Sequence, residues 1–403
     1  MNRVEALVVG GGPAGATAAI GLARAGWAVA IVEKSPFPRR KVCGEYISAT
    51  TWPVLRELGI EPSIAQRAGP AVVRVGLFSG DAAIDAAMPA PLGAPGEWGH
   101  AIGRDILDSA LLAQAARAGA TLWQPWAVSA VRREGEGFVA TVREAQGRQE
   151  REIRARIVVD AHGSWERSPF TRIGSRPSSR PGDLFGFKAR FRGARLPDGL
   201  MPLLLFPGGY GGMVHTDGAE VSFSCCIRRD ALRRQRECSS LAAGDAVIAH
   251  VERHCRAARE ILAGAHRTDP WLSAGPIRPG IRALAADGVF AVGNAAGEAH
   301  PLVAEGISMA IQSAWILATL LAPHAGRELT RADLDRMGRD YAARWKAHLA
   351  TRIRAAAIFA AVTARPAGAR ASEIVVARLP RLLSWGARWS GKAHLLAGPR
   401  EVR

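Results

Sequence analysis

The sequence predicts an α/β fold in which a parallel-sheet domain is interleaved with a second β-sheet domain and followed by a helical tail. Residues 4–9 form a short apolar run that ends in glycines, as a buried parallel strand does. Residues 180–230 fall into short strand-like runs, which indicate a second sheet. A basic, helical pattern fills 323–403.

The composition is that of a globular protein with two joined domains: 403 residues, 48% hydrophobic and 22% charged. No uninterrupted apolar run approaches the roughly 20 residues that span a bilayer, and no signal peptide precedes the first strand. The cysteines (Cys43, Cys225, Cys226, Cys238 and Cys255) form no CxxC pair. We therefore expect a cytoplasmic protein with reduced thiols, without a disulfide framework or a zinc site.

The charge is strongly asymmetric: the net charge is +17, and +10 of it lies in 322–403. A solvated basic surface is the simplest interpretation. The asymmetry also favours an acidic partner such as a carrier protein or peptide, an anionic substrate, or peripheral contact with a membrane. No nucleic-acid partner is expected, because no base-reading motif or interleaved aromatic platform accompanies the charge.

The first motif lies directly after the strand at 4–9. Gly10, Gly12 and Gly15 have the dinucleotide-binding spacing, which gives a tight turn, backbone approach to a pyrophosphate and close helix–strand packing. Such glycine spacing alone is common by chance. Here it stands between a strand and a helix, and Glu33 closes the next strand, where it can accept both ribose hydroxyls. The sequence therefore predicts a Rossmann-like, dinucleotide-binding βαβ unit.

The remaining pattern divides the chain into interleaved domains without a linker or an internal repeat. A periodic helix is predicted for 104–119 and a strand hairpin for 128–143, before a buried strand that ends at Asp160. A short apolar strand at 288–292 precedes a helix at 305–321. The first domain is predicted to comprise 1–75, 96–175 and 275–322, the second 76–95 and 176–274, and the basic helical tail 323–403.

The second motif is Gly293–Gly306, with the sequence GNAAGEAHPLVAEG. It resembles the flavin-ribityl motif of the p-hydroxybenzoate hydroxylase superfamily, in which Gly-Asp-Ala-Ala leads through prolines into a glycine-bearing helix start. The resemblance implies that FAD is the cofactor and that Asn294 binds its ribityl chain. It also implies that N–H groups around 304–306 face the flavin, where a helix N-terminus would stabilise a reduced-flavin anion. The alternative is a glycine-rich turn before a core helix.

A third similarity and several departures accompany this motif. Arg104 stands at a helix start where many members of the superfamily place an arginine near the ribityl–phosphate region; a plain surface arginine is the alternative. The superfamily's middle Asp-Gly is replaced by His162-Gly163, and the arginine that normally follows is displaced to Arg167. Asn294 replaces the usual aspartate. These departures put standard NADPH handling in doubt.

Two further segments indicate the branch of the superfamily. Lys41, Cys43 and Gly44 belong to a segment similar to the Lys-x-Cys-Gly segment of the geranylgeranyl reductase-like branch, and 206–212 (FPGGYGG) resembles its Pro-Gly-Gly-Tyr-Gly segment. Taken together, these segments are similar to those of biosynthetic-cluster flavin monooxygenases, including the enzymes that act on peptidyl tryptophan in quinone-cofactor biogenesis. A tryptophan halogenase is disfavoured, because Trp-x-Trp-x-Ile-Pro is missing.

These resemblances imply a set of residues around the cofactor. The implied cofactor-binding residues are Gly10, Gly12, Ala14, Gly15, Glu33, Lys34, Lys41, Cys43, Gly44, Arg104, Asn294, Pro301, Ala304, Glu305 and Gly306. Cys43 is either a thiol near the flavin or a small buried filler. No metal site is expected.

The implied activity is that of an FAD-dependent monooxygenase with NAD(P)H as electron donor. Such an enzyme would hydroxylate an aromatic or polyketide-like substrate, free or tethered to a carrier protein or peptide, through a flavin C4a-hydroperoxide. One alternative is an FAD-dependent reductase of carbon–carbon double bonds, as in the geranylgeranyl reductases. Another is a flavin-binding subunit without activity of its own.

The candidate acid–base or orienting groups are Glu45, Tyr210, His215 and His300. Histidine titrates near neutrality, and burial can raise a glutamate toward it. His300 is the best placed, since it directly precedes the proline of the predicted flavin-contacting loop, although a structural role is equally compatible with a lone histidine. Lys188, a charge on an apolar strand, is expected to face the substrate cavity.

Overall fold

The computed structural model describes residues 2–91, 96–147, 149–164, 180–237, 240–363 and 366–392. The strands are β1 Asn2–Val9, β2 Val29–Val32, β3 Tyr46–Ile47, β4 Arg74–Ser79, β5 Ala82–Ala87, β6 His100–Ala101, β7 Thr121–Trp123, β8 Trp126–Glu134, β9 Gly137–Glu144, β10 Glu150–Asp160, β11 Leu184–Arg192, β12 Leu200–Phe206, β13 Gly209–His215, β14 Val221–Arg228, β15 His266–Arg267, β16 Leu272–Ile277, β17 Gly280–Ile281, β18 Ala285–Ala286, β19 Val289–Ala291 and β20 Gly297–Glu298. The α-helices are α1 Pro13–Arg24, α2 Trp52–Glu57, α3 Glu61–Ile64, α4 Arg104–Arg117, α5 Arg229–Glu237, α6 Ala243–His254, α7 Arg256–Leu262, α8 Gly306–Leu321, α9 Arg331–Trp345, α10 Thr351–Thr363, α11 Pro366–Arg378 and α12 Arg381–Ala387. The predictions made for Arg167 and Cys238 fall outside the described residues.

The parallel core of the first sheet places three strand ends at one edge. β1 lies between β10 and β2, and β19 and β7 extend the parallel strands on either side. The β8–β9 hairpin continues antiparallel from β10. β1, β2 and β10 end at Val9, Val32 and Asp160, so the segments after them meet at the carboxyl edge. In open α/β sheets this edge is where ligands bind.

Small and aliphatic residues pack the helices onto this sheet. α1, α4 and α8 cover one face, and the hairpin residues Phe138, Ala140 and Val142 cover part of the other. α1 and α8 approach so closely that a Cβ on Gly21 would lie 2.6 Å from Cβ of Ala318. The alanine-rich composition of α1 therefore reflects close helix packing as well as helix propensity.

The second sheet is mostly antiparallel and has a buried core of its own. Its order is β15-β11-β14-β13-β12-β4-β5, with β4 and β12 parallel. One face packs on α6 and α7 through Leu204, Phe223 and Val247. α6 and α7 are separated at Cys255, which has an extended conformation between them. The predicted architecture, a Rossmann-like sheet interleaved with a second sheet and followed by a helical tail, is confirmed.

The tail is built into the fold. α9 begins at a capping box formed by Thr330 and Asp333, and its buried Tyr341 donates a 2.7 Å hydrogen bond to the Ala291 carbonyl. The helices that follow reach the other face of the second sheet, where Ala360 and Val376 pack into one cluster with Tyr210. The last helices therefore cover the second sheet.

The segment Gly306–His324, which contains α8, is long and apolar enough by length and composition to cross a bilayer. Its most apolar window is 72% buried inside the protein. Ile311 and Leu317 of this helix belong to the main core. Its apolar surface is therefore already covered by protein.

Candidate active site

Three glycines shape the turn between β1 and α1. Gly10 has φ +104°, a left-handed conformation that favours glycine. A Cβ on Gly15 would lie 1.9 Å from the Gly10 carbonyl oxygen, which leaves no room for a side chain. Gly12 differs, because the nearest atom to an added Cβ is Arg104 Nη2 at 3.8 Å. The Gly12 backbone therefore faces open space at the N-terminus of α1, where a phosphate is favoured.

Glu33 closes β2 with its carboxylate held by three donors. The Gly11 and Ser35 amides each donate at 2.8 Å, and Arg39 Nη2 donates at 3.1 Å. The first bond ties Glu33 to the glycine turn, as expected for a residue that orients a ribose beside the pyrophosphate. Arg39 was not singled out from the sequence, although its position in the basic loop after β2 could have indicated it.

A cavity of about 750 Å³ extends from this turn to the second sheet and the tail. The implied cofactor-binding residues in its wall are Gly10, Gly12, Ala14, Glu33, Lys34, Lys41, Cys43, Gly44, Arg104, Asn294, Pro301, Ala304 and Gly306. Gly15 and Glu305 lie behind the wall: Gly15 packs on Gly10, and Glu305 is completely buried. The structure thus brings residues from distant parts of the sequence to one cavity.

The second glycine-rich segment lies beside α1 in this wall, where a Cβ on Gly293 would lie 2.8 Å from Cβ of Ala14. The Gly293 amide donates to Ser313 Oγ at 2.7 Å, and Asn294 Nδ2 donates to Ser164 Oγ at 2.9 Å. Ala304 is left-handed, with φ +52°, and turns the chain into α8. Because Ala304 and Gly306 both line the cavity, the N-terminus of α8 faces it. Two helix starts thus face the same cavity, as the two glycine motifs predict.

Arg104 lies beside the glycine turn with its orientation fixed. Its Nε and Nη2 each donate to the Asp108 carboxylate at 2.7 Å, and Asp108 is completely buried. This bidentate pair directs the arginine along the cavity wall. The contribution of Arg104 to phosphate binding stays a prediction.

Glu45 lies in the cavity wall as a buried carboxylate with fixed partners. Its Oε1 contacts Lys188 Nζ and accepts a 2.8 Å hydrogen bond from Arg190. Burial alone would raise its pKa, but Lys188 and Arg190 hold the pKa of Glu45 below its usual value. The expectation that burial would raise Glu45 toward neutrality is therefore wrong. Two adjacent cations outweigh the cost of desolvation.

Lys188 and Arg190 form the layer beneath Glu45. Lys188 is 2% exposed and is absent from the cavity wall, so the expectation that it faces the cavity is wrong. Arg190 also contacts Asp217 and Asp105, which ties the second sheet to the start of α4. Arg190 was missed, although it lies two residues after Lys188 and hence on the same face of β11.

The His300 and Tyr210 rings contact each other in a tilted arrangement, with their centroids 4.9 Å apart. Burial lowers the pKa of His300 to about 4, so the expected titration near neutrality is wrong. Tyr210 lines the cavity, and burial together with the Cys226 thiol raises its pKa well above the usual value. His300 lies outside the wall, behind Tyr210. It is therefore a neutral packing partner at pH 7.

His215 is the last residue of β13 and lies apart from His300 and Tyr210. Its Nε2 lies 2.7 Å from the Leu196 carbonyl oxygen, and the residue is not part of the cavity wall. The preceding residue, Val214, does line the cavity. The structure therefore does not bring His215 together with Glu45 and Tyr210, and its catalytic role stays an untested prediction.

Side chains of the tail cover part of the cavity, which the sequence did not predict. Arg352, Phe359, Leu382, Trp385 and Trp389 all line the cavity. Arg352 is 7% exposed and donates a 2.7 Å hydrogen bond to Gln312 on α8. The Trp385 and Trp389 rings lie 5.4 Å apart. The two tryptophans, four residues apart, could have indicated a shared apolar helix face. Nothing in the neighbouring sequence indicated which part of the fold that face covers.

A family model described as an FAD binding domain matches residues 3–349. The chain belongs to this FAD binding domain family. The matched range contains both glycine segments, Glu33 and Arg104. The residues present fit FAD, because the open backbone at Gly12 meets a helix start, the Glu33 carboxylate closes β2, and a second helix start faces the same cavity.

Relatives of this chain are named for different activities. Digeranylgeranylglycerophospholipid reductase 1 of Methanothermobacter thermautotrophicus is 27% identical over 327 residues, which cover 76% of this chain and 74% of that protein. Menaquinone reductase of Mycobacterium tuberculosis is 30% identical over 171 residues, 42% of this chain and 40% of its own length. A Pseudomonas fluorescens chlorinase named for a pyrrole-2-carbonyl group on a peptidyl-carrier protein is 30% identical over 177 residues, 40% of this chain and 39% of its own.

Solved structures extend the similarity to nearly the whole chain. A flavin-dependent brominase superimposes with a TM-score of 0.75 at 19% identity, covering 97% of this chain and 94% of that one. A geranylgeranyl bacteriochlorophyll reductase-like protein from Thermoplasma acidophilum gives 0.68 at 20% identity, covering 99% and 94%. At these identities the likeness shows the fold alone, and whether this chain halogenates stays untested.

Proposed function

We propose that this chain is an FAD-dependent monooxygenase that uses NAD(P)H and O₂ to hydroxylate an aromatic or polyketide-like substrate, free or tethered to a carrier protein or peptide. The observation that carries the proposal is one continuous cavity. Its cofactor part, the flavin cradle, is lined by Gly12, Glu33 and Gly306. Its other part, the chamber, is covered by Phe359, Trp385 and Trp389. Bound FAD would supply the redox chemistry. The protein's contribution is then to hold the substrate and exclude water.

The chamber walls suit an aromatic ring that carries an N–H or O–H group. Glu45 is an anion whose Oε1 is engaged, and its Oε2 accepts no hydrogen bond from the part of the chain that the structure describes. A donor on the substrate would satisfy this buried oxygen after a small movement of the side chain, and would orient the ring. An acceptor anion of this kind would also raise the electron density of the ring. Glu45 is thus assigned as an orienting acceptor.

Tyr210 would act as a neutral wall and hydrogen-bonding group. Its raised pKa keeps the phenol protonated throughout the physiological range. His300, neutral and stacked behind it, would hold the tyrosine ring in position. We assign proton transfer to neither residue.

The mass of the product, measured with and without O₂, tests the proposal. The reduced protein is mixed with aromatic substrates, O₂ and bromide, and products are analysed by mass spectrometry. A product heavier by one oxygen atom supports monooxygenation, whereas a brominated product contradicts it. A product heavier by two hydrogens, formed without O₂, also contradicts it.

The flavin cradle itself is tested with Gly12→Leu. The open space at Gly12 admits a Cβ, so the fold should be kept while the side chain fills the expected pyrophosphate position. The variant should be folded by circular dichroism yet colourless after purification. Retention of full flavin absorbance would contradict the cradle.

A reductase of carbon–carbon double bonds is the second candidate, favoured by the names of the menaquinone and digeranylgeranylglycerophospholipid reductases. In that case the basic tail would contact the membrane that holds a lipid substrate. A cytoplasmic location suits both candidates. Absence of turnover in both regimes would favour the flavin-binding subunit without activity.

A further inference from the structure

Five side chains of the last helices lie at the cavity while remaining exposed to solvent. We call them the tail rim: Phe359, Val375, Leu382, Trp385 and Trp389. Trp385 is 58% exposed and Trp389 is 53% exposed. A residue that is both exposed and part of the cavity wall lies at the opening, so the rim marks where the chamber meets solvent.

The apolar surface continues beyond the opening. Ile358, Val362 and Ile374 on α10 and α11 are exposed as well, and Leu379, between α11 and α12, is 59% exposed. Single exposed apolar residues are normal, but a cluster of this kind around a cavity marks a binding surface. Tryptophan is also the residue most enriched among the energetic centres of protein interfaces.

The charge around the rim is mostly positive. Arg354, Arg378, Arg381 and Arg388 are exposed, and none forms an ion pair with another described residue. In 346–392 the sole acidic residue is Glu373. Arginine guanidinium groups bind carboxylates in a bidentate manner, so the surface complements a partner with acidic residues around an apolar centre.

We propose that the tail rim is the docking surface for an acidic polypeptide that delivers the aromatic group to the chamber. This inference rests on the proposed function for the identity of that group. A polypeptide is favoured over a membrane because polar side chains, including Arg352 and Tyr210, line the chamber beneath the rim. A lipid chain would remove these groups from water without offering hydrogen bonds, whereas a polypeptide segment brings polar groups of its own.

Binding is measured with the flavin-loaded protein and a fluorescein-labelled synthetic peptide that has one central tryptophan flanked by leucine and glutamate. Its matched control peptide replaces each glutamate with lysine. The acidic peptide should bind in an anisotropy titration, more weakly as salt is raised, and the basic peptide should not. Equal binding of both peptides, or of neither, overturns the proposal.

Variants locate the surface. Trp389→Ser should weaken acidic-peptide binding about thirtyfold, the loss of a tryptophan anchor. Arg378→Glu with Arg381→Glu should weaken it about tenfold or more. The controls, Leu241→Ser and Arg151→Glu, change exposed residues outside the tail and should bind normally. If the controls lose binding as strongly as the rim variants, the assignment fails.

Two further readouts keep this inference separate from the proposed function. Flavin absorbance and circular dichroism should be unchanged in Trp389→Ser, which excludes unfolding as the cause. Binding needs no turnover, so a peptide that binds without being oxidised contradicts the monooxygenase proposal and supports the docking surface. Co-sedimentation with vesicles of phosphatidylcholine and phosphatidylglycerol in equal amounts tests the membrane alternative. If the parent protein binds these vesicles but no peptide, and Trp389→Ser loses the vesicle binding, the rim is assigned to a membrane instead.

Discussion

The two ends of the cavity are constructed by different means. At the cofactor end, backbone atoms and small residues at the starts of α1 and α8 form the wall, as at Gly12 and Gly306. At the substrate end, large side chains from β13, α10 and α12 form it, as with Tyr210, Phe359 and Trp385. One end is thus defined by where side chains are absent, the other by which side chains are present.

This difference indicates how well each end of the cavity tolerates amino-acid substitution. A backbone site requires glycine because a side chain would occupy the ligand's place or push strand and helix apart. A side-chain site requires volume and polarity, which several residue types can provide. The cofactor end should therefore fail abruptly upon substitution, and the substrate end should respond by degrees. Four predictions test this contrast, from the largest expected effect to the smallest.

Gly15→Val should abolish the folded flavoprotein. Its Cβ would lie 1.9 Å from the Gly10 carbonyl oxygen, so strand and helix must separate. Yield, circular dichroism and flavin absorbance measure the effect. Gly182→Ala is the control, since an added Cβ there meets nothing within 4 Å. A yellow, cooperatively folded Gly15→Val protein would break the comparison.

Glu45→Gln should lower the free energy of unfolding by about 3–5 kcal/mol, because it leaves Lys188 buried without its anion. Adding Lys188→Met should recover much of that loss, as measured by urea unfolding. Substitution in the exposed pair of Arg233 and Glu237 should change stability by less than about 1 kcal/mol. A double variant as unstable as the single one would mean that the ion pair is not the cause.

His300 should make stability depend on pH. Its folded pKa of about 4 lies below the ordinary value, so the neutral form favours folding. This contribution is present above about pH 6.5 and is lost as pH falls toward 4, by as much as about 3 kcal/mol. His300→Phe should flatten that loss in urea unfolding at several pH values. His266→Gln, at an exposed position, should leave it unchanged; an unchanged profile in His300→Phe would contradict the assignment.

Arg39→Met should have the smallest effect, weakening FAD binding about tenfold. The arginine donates to Glu33 at 3.1 Å and helps to hold the carboxylate in place without forming the turn itself. Apoprotein is titrated with FAD and its flavin fluorescence is followed. Arg40→Met is the control, because Arg40 pairs with Asp269 and is not in the cavity wall. Equal losses in both variants would assign the effect to charge alone.

The same contrast explains what the sequence could predict. The glycine turn, Glu33 and the start of α8 were predictable because each requirement is local, set by spacing along a few residues. The α/β fold followed from strand and helix patterns that are likewise local. The architecture could therefore be derived without knowing any long-range contact.

The rest depends on contacts between distant segments. Arg190 meets Glu45 across 145 positions of sequence, and that contact reverses the expected direction of the Glu45 pKa shift. His300 was expected to titrate near neutrality because its burial against Tyr210 has no local signature. The position of Trp385 at the cavity depends on how the tail crosses the second sheet. Side-chain environments of this kind are set by tertiary packing.

The order of the elements along the chain has a consequence for assembly. Both helix starts of the cradle emerge from the ribosome before 351–392, the segment that roofs the chamber. Cofactor loading can therefore precede closure during synthesis. A protease that cuts the exposed tail of the mature protein would leave a coloured protein with an open chamber.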